Sequence, residues 1–156
     1  MTNLLIEQLE AAGWAKVVNL SSLAHTLAKQ GIQWEDIKWE QKFFDSWEVY
    51  AQSNLANVLF TRNLAGRQAS SGVTVYAVHP GAVARELVRA YEATIPAFLR
   101  TYVTNLTKVF QKTAEGGAHT SLHCAFVECV EEETGKYYTD CALVAAGTPG
   151  GGQKAG

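Results

Sequence analysis

Two hydroxyl-bearing residues of the chain, Ser22 and Tyr50, could carry out proton chemistry on a carbonyl group, and an amide, Asn54, accompanies the tyrosine. Tyr50 follows Ser22 by 28 residues and precedes Asn54 by four. Residues four apart on a helix project from one face, so Tyr50 and Asn54 can reach the same ligand. A hydroxyl can polarise a carbonyl oxygen, and a phenol can give or take the alcohol proton. The three residues therefore suit proton transfer at a carbonyl oxygen.

The same residues also have an ordinary structural interpretation. Serines that follow a strand commonly form turns, and a single tyrosine on a helix surface is unremarkable. Spacing alone favours this structural interpretation over catalysis. The catalytic hypothesis therefore depends on the elements that would bring these side chains together.

The sequence predicts a strand, a helix and a second strand, and the order of these elements indicates where the side chains would lie. The apolar run 16–20 is typical of a short buried strand, the segment 50–67 has helical periodicity, and 73–78 is a second strand that Pro80 and Gly81 end. This order predicts a right-handed crossover with parallel strands. Ligands bind outside the carboxyl ends of such strands, so Ser22 and Tyr50 are expected there with Pro80 and Gly81.

The rest of the chain predicts a single domain. Apolar residues at helical spacing indicate a helix up to Ala12, the segment 21–47 is irregular, a helix is predicted over 113–133, and a last strand over 136–144. The glycine-rich residues 147–156 are expected to form a flexible tail.

Composition limits the function classes. With 156 residues, 47% of them apolar, the chain can bury one core. A net charge of −2 without a basic cluster argues against nucleic acid and anionic membranes as partners. Three cysteines without a C-x-x-C pair predict reduced thiols, in the cytoplasm or another reducing compartment. The sequence shows neither a signal peptide nor a membrane anchor.

Two weaker patterns leave alternatives open. His119 and His123 are four residues apart, with Cys124 next to His123, and could seat a metal, but the pattern fixes no third ligand. Ordinary helical histidines are the favoured interpretation, so no metal site is predicted. Trp34, Trp39 and Trp47 could bind an apolar substrate, and core packing is at least an equal alternative.

Five segments resemble successive blocks of the short-chain dehydrogenase/reductase family, in its retinol-dehydrogenase-like branch. The resemblance implies an α/β fold, namely the C-terminal half of a doubly wound, Rossmann-like parallel sheet with flanking helices, over residues 1–146. The dinucleotide-binding half would precede Met1. The segments are Val17–His25, Tyr50–Thr61, Val75–Val83, Gly116–Leu122 and Gly135–Asp140.

The resemblance also implies residue roles for an NAD(P)-dependent oxidoreductase of apolar alcohols and carbonyls. Ser22 would polarise the substrate carbonyl, Tyr50 would be the acid/base, and Asn54 stands at the family's lysine position. The cofactor, NAD or NADP, would supply the hydride. The residues implied to contact it are Tyr50, Asn54, Pro80, Gly81 and Val83.

Two substitutions depart from the family pattern. The family's lysine holds the nicotinamide ribose, and its ammonium lowers the pKa of the family's tyrosine; an amide at Asn54 keeps hydrogen bonds without the charge. Arg85 replaces a threonine that contacts the cofactor amide. The resemblance also places the glycine-rich dinucleotide turn and the catalytic asparagine before Met1, so we expect the chain alone to be marginally stable and to bind no dinucleotide measurably. With Asn54 in place of lysine, we expect it to be impaired or inactive.

Two hypotheses remain open. The first is the oxidoreductase. The second is a non-catalytic relative that pairs with a full-length partner, as a homo- or heterodimer, through helices 2–12 and 48–67. The first strand would present an open hydrophobic edge in either case, because its outer neighbour would belong to the absent half.

Overall fold

The structure is a computed structural model that describes residues 1–41, 45–81, 112–127 and 133–145. The sequence features at Val83, Arg85, Cys129 and the tail 147–156 lie outside the described residues. Two short 3-10 helices, Leu23–Leu27 and Trp34–Asp36, interrupt the segment predicted to be irregular. The helices and strands are α1 (Thr2–Ala11), β1 (Ala15–Leu20), α2 (Ser46–Arg67), β2 (Val73–His79), α3 (Ala114–Phe126), β3 (Tyr137–Thr139) and β4 (Ala142–Leu143).

The four strands form one sheet in the order β1-β2-β3-β4. β1 and β2 are parallel, in a register that runs from Ala15 opposite Val73 to Leu20 opposite Val78. β3 is parallel to β2, and β4 is antiparallel to β3. The predicted parallel pair joined by a helix is confirmed, and the chain has the expected mixed α/β fold.

β2 lies at the centre of the sheet and divides its side chains between two faces. Val73 and Val75 pack with Leu64 and Ala65 of α2, whereas Tyr76 and Val78 pack with Cys124 of α3. Successive side chains of a strand point to opposite faces, so this alternation follows from the strand itself. The helices α1 and α2 therefore cover one face, and α3 covers the other.

α2 is the long helix of the crossover and begins earlier than its apolar pattern indicates. Asp45 caps it, because its carboxylate accepts from the backbone N–H of Trp47 at 2.9 Å and of Glu48 at 3.4 Å. This bonding satisfies amides that a helix start leaves unpaired. The four residues before Tyr50 are therefore helical, and Tyr50 lies in the second turn of α2 rather than at its first residue.

Two element boundaries predicted from the sequence were wrong. The strand expected over 136–144 is a hairpin, because Asp140 and Cys141 adopt positive φ angles of 51° and 58° and turn the chain back. The helix expected over 113–133 ends at Phe126. Val127 is extended there, and its carbonyl oxygen accepts from Lys16 Nζ at 3.0 Å.

The starts of β1 and β2 meet at two glycines, Gly13 and Gly72, with φ angles of 73° and 76°. A Cβ added to Gly72 would lie 2.3 Å from the carbonyl oxygen of Gly13. Only glycine combines this backbone conformation with so close an approach. The pair lets the two turns pack directly on one another before the strands begin.

β1 is an outer strand of the described sheet, as expected. Large apolar side chains beside it are exposed: Trp14 by 77%, Leu20 by 57% and Leu4 of α1 by 82%. Within the described ranges, no helix has the length and apolar character needed to cross a bilayer.

Candidate functional site

Two segments that carry predicted site residues, the end of β1 and the start of α2, lie at the carboxyl edge of the sheet. Ser21 and Ser22 leave β1 at this edge, and α2 starts its return path from the same side, which is where Tyr50 and Asn54 lie. A direct contact ties the two segments, because Ser21 Oγ donates to the carbonyl oxygen of Asn54 at 3.0 Å. The first 3-10 helix, Leu23–Leu27, packs against α2.

The two serines have different environments. Ser21 is 6% exposed, and its hydroxyl is used in the bond to α2. Ser22 caps the first 3-10 helix, where its Oγ accepts from the backbone N–H of Ala24 at 3.2 Å. An accepting hydroxyl keeps its own hydrogen for another partner. Of the pair, Ser22 is therefore the hydroxyl that can donate to a ligand.

His25 extends this arrangement, and the sequence patterns did not single it out as a site residue. It is 5% exposed, and Nδ1 lies 2.7 Å from the carbonyl oxygen of Ser22. A carbonyl only accepts, so Nδ1 carries the hydrogen, and Nε2 of the neutral ring is left as an acceptor. The imidazole thus fixes the backbone of Ser22.

Tyr50 is half-buried on α2, and its ring lies 6.4 Å from that of Trp47 in an edge-to-face arrangement. Its carbonyl oxygen accepts from Ser53 Oγ and from Asn54 Nδ2, each at 2.8 Å. The phenol projects from the same helix face as Asn54.

Asn54 is 7% exposed, and its amide is folded back onto its own helix. The amide nitrogen donates to the carbonyl oxygen of Tyr50, so that hydrogen is already used within α2. No cationic side chain stands at this position. The local charge that a lysine would bring is therefore missing from the helix face that carries Tyr50.

Pro80 and Gly81 follow β2 at the same edge, and Pro80 is buried. Gly81 has a φ of 87°, and a Cβ there would lie 3.0 Å from Cδ of Lys112. Val83, the third residue implied to contact a nicotinamide, lies outside the described residues. The described residues therefore supply one side of such a contact surface.

Tyr137, the first residue of β3, is a second buried phenol on the α2 side of the sheet. It is 6% exposed and packs with Val58 of α2 and Ala77 of β2. Its ring contacts His25 edge-on, with the centroids 4.8 Å apart. Burial raises the pKa of Tyr137, and the charge of ionised Tyr50 raises it further. Sequence patterns did not single out Tyr137, because its burial and its contact with His25 depend on packing in three dimensions.

A surface depression of about 400 Å³ lies on the α3 side, away from Tyr50. Lys112 and Asp140 form an ion pair at its wall. In the part of the chain that the structure describes, no three His, Cys, Asp or Glu side chains converge as a metal site. The depression is lined by Lys112, Thr113, Gly116, His119, Thr120, Asp140 and Cys141.

The tryptophans are not core residues. Trp34 is 72% exposed and Trp47 is 51% exposed, so core packing was the wrong alternative for these two. Gln52 of α2 holds the preceding loop, since its Oε1 accepts from the backbone N–H of Gln33 at 2.9 Å. An aromatic surface therefore lies next to Tyr50.

Solved structures share the fold at low sequence identity. A gluconate 5-dehydrogenase from Burkholderia cenocepacia, in complex with NADP and tartrate, has a TM-score of 0.62 and 16% identity over 88% of this chain and 48% of that one. An NADPH-bound carbonyl reductase from chicken fatty liver has a TM-score of 0.59 and 16% identity over 92% of this chain and 50% of that one. No protein-family model matches the chain.

Curated relatives are far more similar in sequence. Human retinol dehydrogenase 12 is 46% identical over 141 residues, which are 90% of this chain and 42% of the relative. Human retinol dehydrogenase 11 is 43% identical over the same shares. The chain belongs to the short-chain dehydrogenase/reductase family. Within this family it lies in the retinol-dehydrogenase-like branch.

This short-chain dehydrogenase/reductase chain spans about 42% of the length of the retinol dehydrogenases that it matches. A more distant relative, dehydrogenase/reductase SDR family member 13 from Bos taurus, is 36% identical over 90% of the chain and 36% of that protein. The Rossmann-like fold implied by the five sequence segments is thereby confirmed. The roles of Ser22, Tyr50, Asn54, Pro80, Gly81 and Val83 stay predictions.

Proposed function

We propose that the chain carries the carbonyl-reacting edge of an NAD(P)-dependent oxidoreductase that acts on apolar alcohols and carbonyls. The observation that supports this proposal is the hydrogen bond from Ser21 Oγ to the carbonyl oxygen of Asn54, which ties the end of β1 to the first turns of α2. Ser22 follows on one segment and Tyr50 lies on the other, and the hydroxyl hydrogen of Ser22 is left for a ligand. The relatives, retinol dehydrogenases 11 and 12, are named for an apolar alcohol, which supports this substrate class.

In this reaction Ser22 donates a hydrogen bond to the substrate carbonyl oxygen and draws electron density from the carbon. Tyr50 transfers its phenolic proton to that oxygen as the alcohol forms, and takes it back in the reverse direction. His25 holds the Ser22 backbone in place through its carbonyl oxygen. Trp47, whose ring lies beside Tyr50, offers an apolar surface to the substrate.

The residues at this edge fit the nicotinamide end of the cofactor. Gly81 turns the chain with a φ of 87°, and the side chain of Lys112 packs against the position where a Cβ would lie. Asn54 would meet the ribose only after its amide leaves the Tyr50 carbonyl oxygen. Bound NAD(P)H supplies the hydride that the substrate carbon accepts.

Asn54 sets a low rate for this chain. A free phenol has a pKa of ~10, and a nearby cation favours its ionised form. An amide provides hydrogen bonds without that charge, so Asn54 does not supply the electrostatic assistance that the family's lysine gives its tyrosine. We therefore propose slow, Tyr50-dependent turnover rather than the full rate of a lysine-containing enzyme.

The test is NAD(P)H oxidation with retinaldehyde by a protein in which this chain is joined to the dinucleotide-binding half of a relative, with a short polar aldehyde as the comparison substrate. Tyr50→Phe should abolish turnover, whereas Tyr138→Phe, which removes a phenol from the opposite sheet face, should retain it. Turnover that survives Tyr50→Phe would overturn the proposal. So would the absence of any turnover after Asn54→Lys.

A second candidate function is pairing with a partner through the helices, and the exposure of α1 favours it. No residue of α1 is buried, and Leu4 and Leu5 are 82% and 48% exposed. On α2, Leu59 is 42% exposed and Phe60 is 36% exposed. Apolar side chains exposed in this way commonly mark an association surface.

Light scattering on the chain distinguishes the two candidates. A pairing protein should form dimers that Leu4→Glu dissociates, whereas Glu7→Gln, on the same helix, should leave them intact. A monomer at all concentrations, together with Tyr50-dependent turnover, would exclude homodimerisation and favour the enzyme.

A further inference from the structure

The hydroxyl of Tyr137 is buried and has no hydrogen-bond partner among the residues that the structure describes. The side chain is 6% exposed, so bulk solvent does not reach this hydroxyl. Burial of an unpaired hydroxyl is unfavourable, and most buried polar groups in proteins are paired. An unpaired one beside a candidate active site points to a partner that arrives during function.

The position of Tyr137 directs this hydroxyl toward the α2 side of the sheet. Tyr137 stands opposite Ala77 near the carboxyl end of β2, and its ring packs with Val58. On α2, Tyr50, Asn54 and Val58 are four residues apart in turn and share one helix face. Tyr137 therefore lies against the face that carries the candidate acid/base.

Two titratable groups of the described residues face Tyr137. His25, from the first 3-10 helix, contacts its ring at 4.8 Å and is anchored to the Ser22 carbonyl oxygen through Nδ1. Tyr50, from α2, is near enough that its charge, when it is ionised, raises the pKa of Tyr137, after the larger effect of burial. The protonated form of Tyr137, which can donate a hydrogen bond, is therefore favoured.

We propose that Tyr137 is a positioning residue that acts through Tyr50, an inference that rests on the proposed function. When Tyr50 has passed its proton to the substrate oxygen, the neutral hydroxyl of Tyr137 donates a hydrogen bond to the Tyr50 oxygen, directly or through one water. The Tyr137 proton stays on Tyr137 throughout. This hydrogen bond supplies part of the stabilisation that a lysine at position 54 would give.

The neighbouring residue, Tyr138, offers a matched control. It points to the opposite face, where its hydroxyl bonds to Glu133 and its ring meets Tyr76. Tyr137→Phe and Tyr138→Phe remove the same atom from adjacent positions. Only the first is on the side of Tyr50.

The experiment follows the ionisation of Tyr50 in the purified chain by nuclear magnetic resonance with ring-labelled tyrosine, with the signal assigned by its loss in Tyr50→Phe. Tyr137→Phe should move the Tyr50 titration midpoint up by about one pH unit, which is a tenfold loss of tyrosinate at a given pH. Tyr138→Phe should leave the midpoint in place. An unchanged midpoint in Tyr137→Phe would overturn this inference.

Two further measurements separate this inference from the proposed function. The titration of Tyr50 needs neither cofactor nor turnover. An inactive chain would therefore count against the proposed function, while the titration would still test the positioning role of Tyr137. In the Asn54→Lys background the shift caused by Tyr137→Phe should shrink, because the ammonium then carries the stabilisation. A shift of equal size in both backgrounds would contradict the stated role.

Discussion

The side-chain amide of Asn54 donates to the carbonyl oxygen of Tyr50 at 2.8 Å, one turn back along the same helix. This bond satisfies a buried amide hydrogen locally and keeps the side chain against α2. The arrangement explains how an asparagine is accommodated where the family has a lysine. It also means that position 54 supplies no positive charge beside Tyr50.

Replacement of Asn54 by lysine should raise carbonyl reduction by about a hundredfold, because a cation beside a phenol favours its ionised form. Steady-state NAD(P)H oxidation measures the change. Asn54→Met, which has similar length without charge, is the control and should give no increase. Equal rates in the two variants would mean that charge at this position does not limit the reaction.

Substitution by alanine should have opposite effects on stability at two glycines, Gly72 in its contact with Gly13 and Gly66 on α2. Gly72→Ala should destabilise the fold by about 2 kcal/mol, since its positive φ strains any side chain and its Cβ would meet a backbone oxygen. Gly66→Ala, in α2, meets nothing within 4 Å and should stabilise by up to about 1 kcal/mol. Urea unfolding measures both, and the same sign for both would refute the argument.

Cys124 predicts a loss of stability at alkaline pH. Burial, with a smaller contribution from Cys141, raises the pKa of the Cys124 thiol from 9.0 to about 11. The folded state therefore favours the neutral thiol, and its stabilisation is complete below pH 9.0. Between these two pH values the unfolded chain loses a proton that the folded chain keeps, so unfolding free energy falls by up to about 1.4 kcal/mol per pH unit.

Unfolding at several pH values tests this dependence. Cys124→Ala should flatten the decline between pH 9 and 11, whatever it does to stability at neutral pH. Cys141→Ala should keep most of the decline, because the burial of Cys124 is unchanged. A Cys124→Ala profile that runs parallel to that of the parent chain would assign the decline to other groups.

Removal of the Tyr137 hydroxyl should not destabilise the fold, and a gain of about 1 kcal/mol is expected, because an unpaired polar atom leaves the interior. Tyr138→Phe should lose stability, since that hydroxyl bonds to Glu133. Thermal unfolding of the two variants gives the comparison. A clear loss in Tyr137→Phe would indicate that its hydroxyl is paired in the folded state.

A partly buried hydrogen bond between β1 and α2 predicts a specific loss of stability. Asn19 Nδ2 donates to Thr61 Oγ1 at 2.9 Å, and Thr61 is 0% exposed. Thr61→Val keeps the shape but leaves the amide unpaired, which should cost about 1 to 2 kcal/mol. In the double variant Asn19→Ala/Thr61→Val no amide is left unpaired, so most of that penalty should disappear. If the stability losses of the two single variants simply add in the double variant, the two side chains are not coupled.

The local patterns that predicted β1, α2 and β2 correctly share one property: their signals are contained in short stretches of chain. The apolar run of β1 and the Pro80-Gly81 stop after β2 need no distant partner to be read. The hairpin at Asp140 was missed because Cys141 at a positive φ is an uncommon turn residue. The early start of α2 was missed because its signal is the cap at Asp45 rather than apolar spacing.

The site was predictable only in part for the same reason. Ser22 and Tyr50 follow from strand ends and helix spacing, and the structure brings both to the carboxyl edge. Tyr137 and His25 come from segments whose meeting depends on how β3 and the first 3-10 helix pack around α2. No periodicity in the sequence encodes an edge contact between rings 112 positions apart in the chain, nor an unpaired hydroxyl.

The neighbours Tyr137 and Tyr138 face opposite sides of the sheet, and this alternation makes the chain intolerant of small length changes just before them. Deletion or insertion of one residue at Lys136 would exchange the two positions, provided that β3 kept its pairing with β2. One phenol would then leave the side of Tyr50, and the other would lose Glu133. Length variation among relatives should accordingly avoid this point and be tolerated beyond the Asp140 turn.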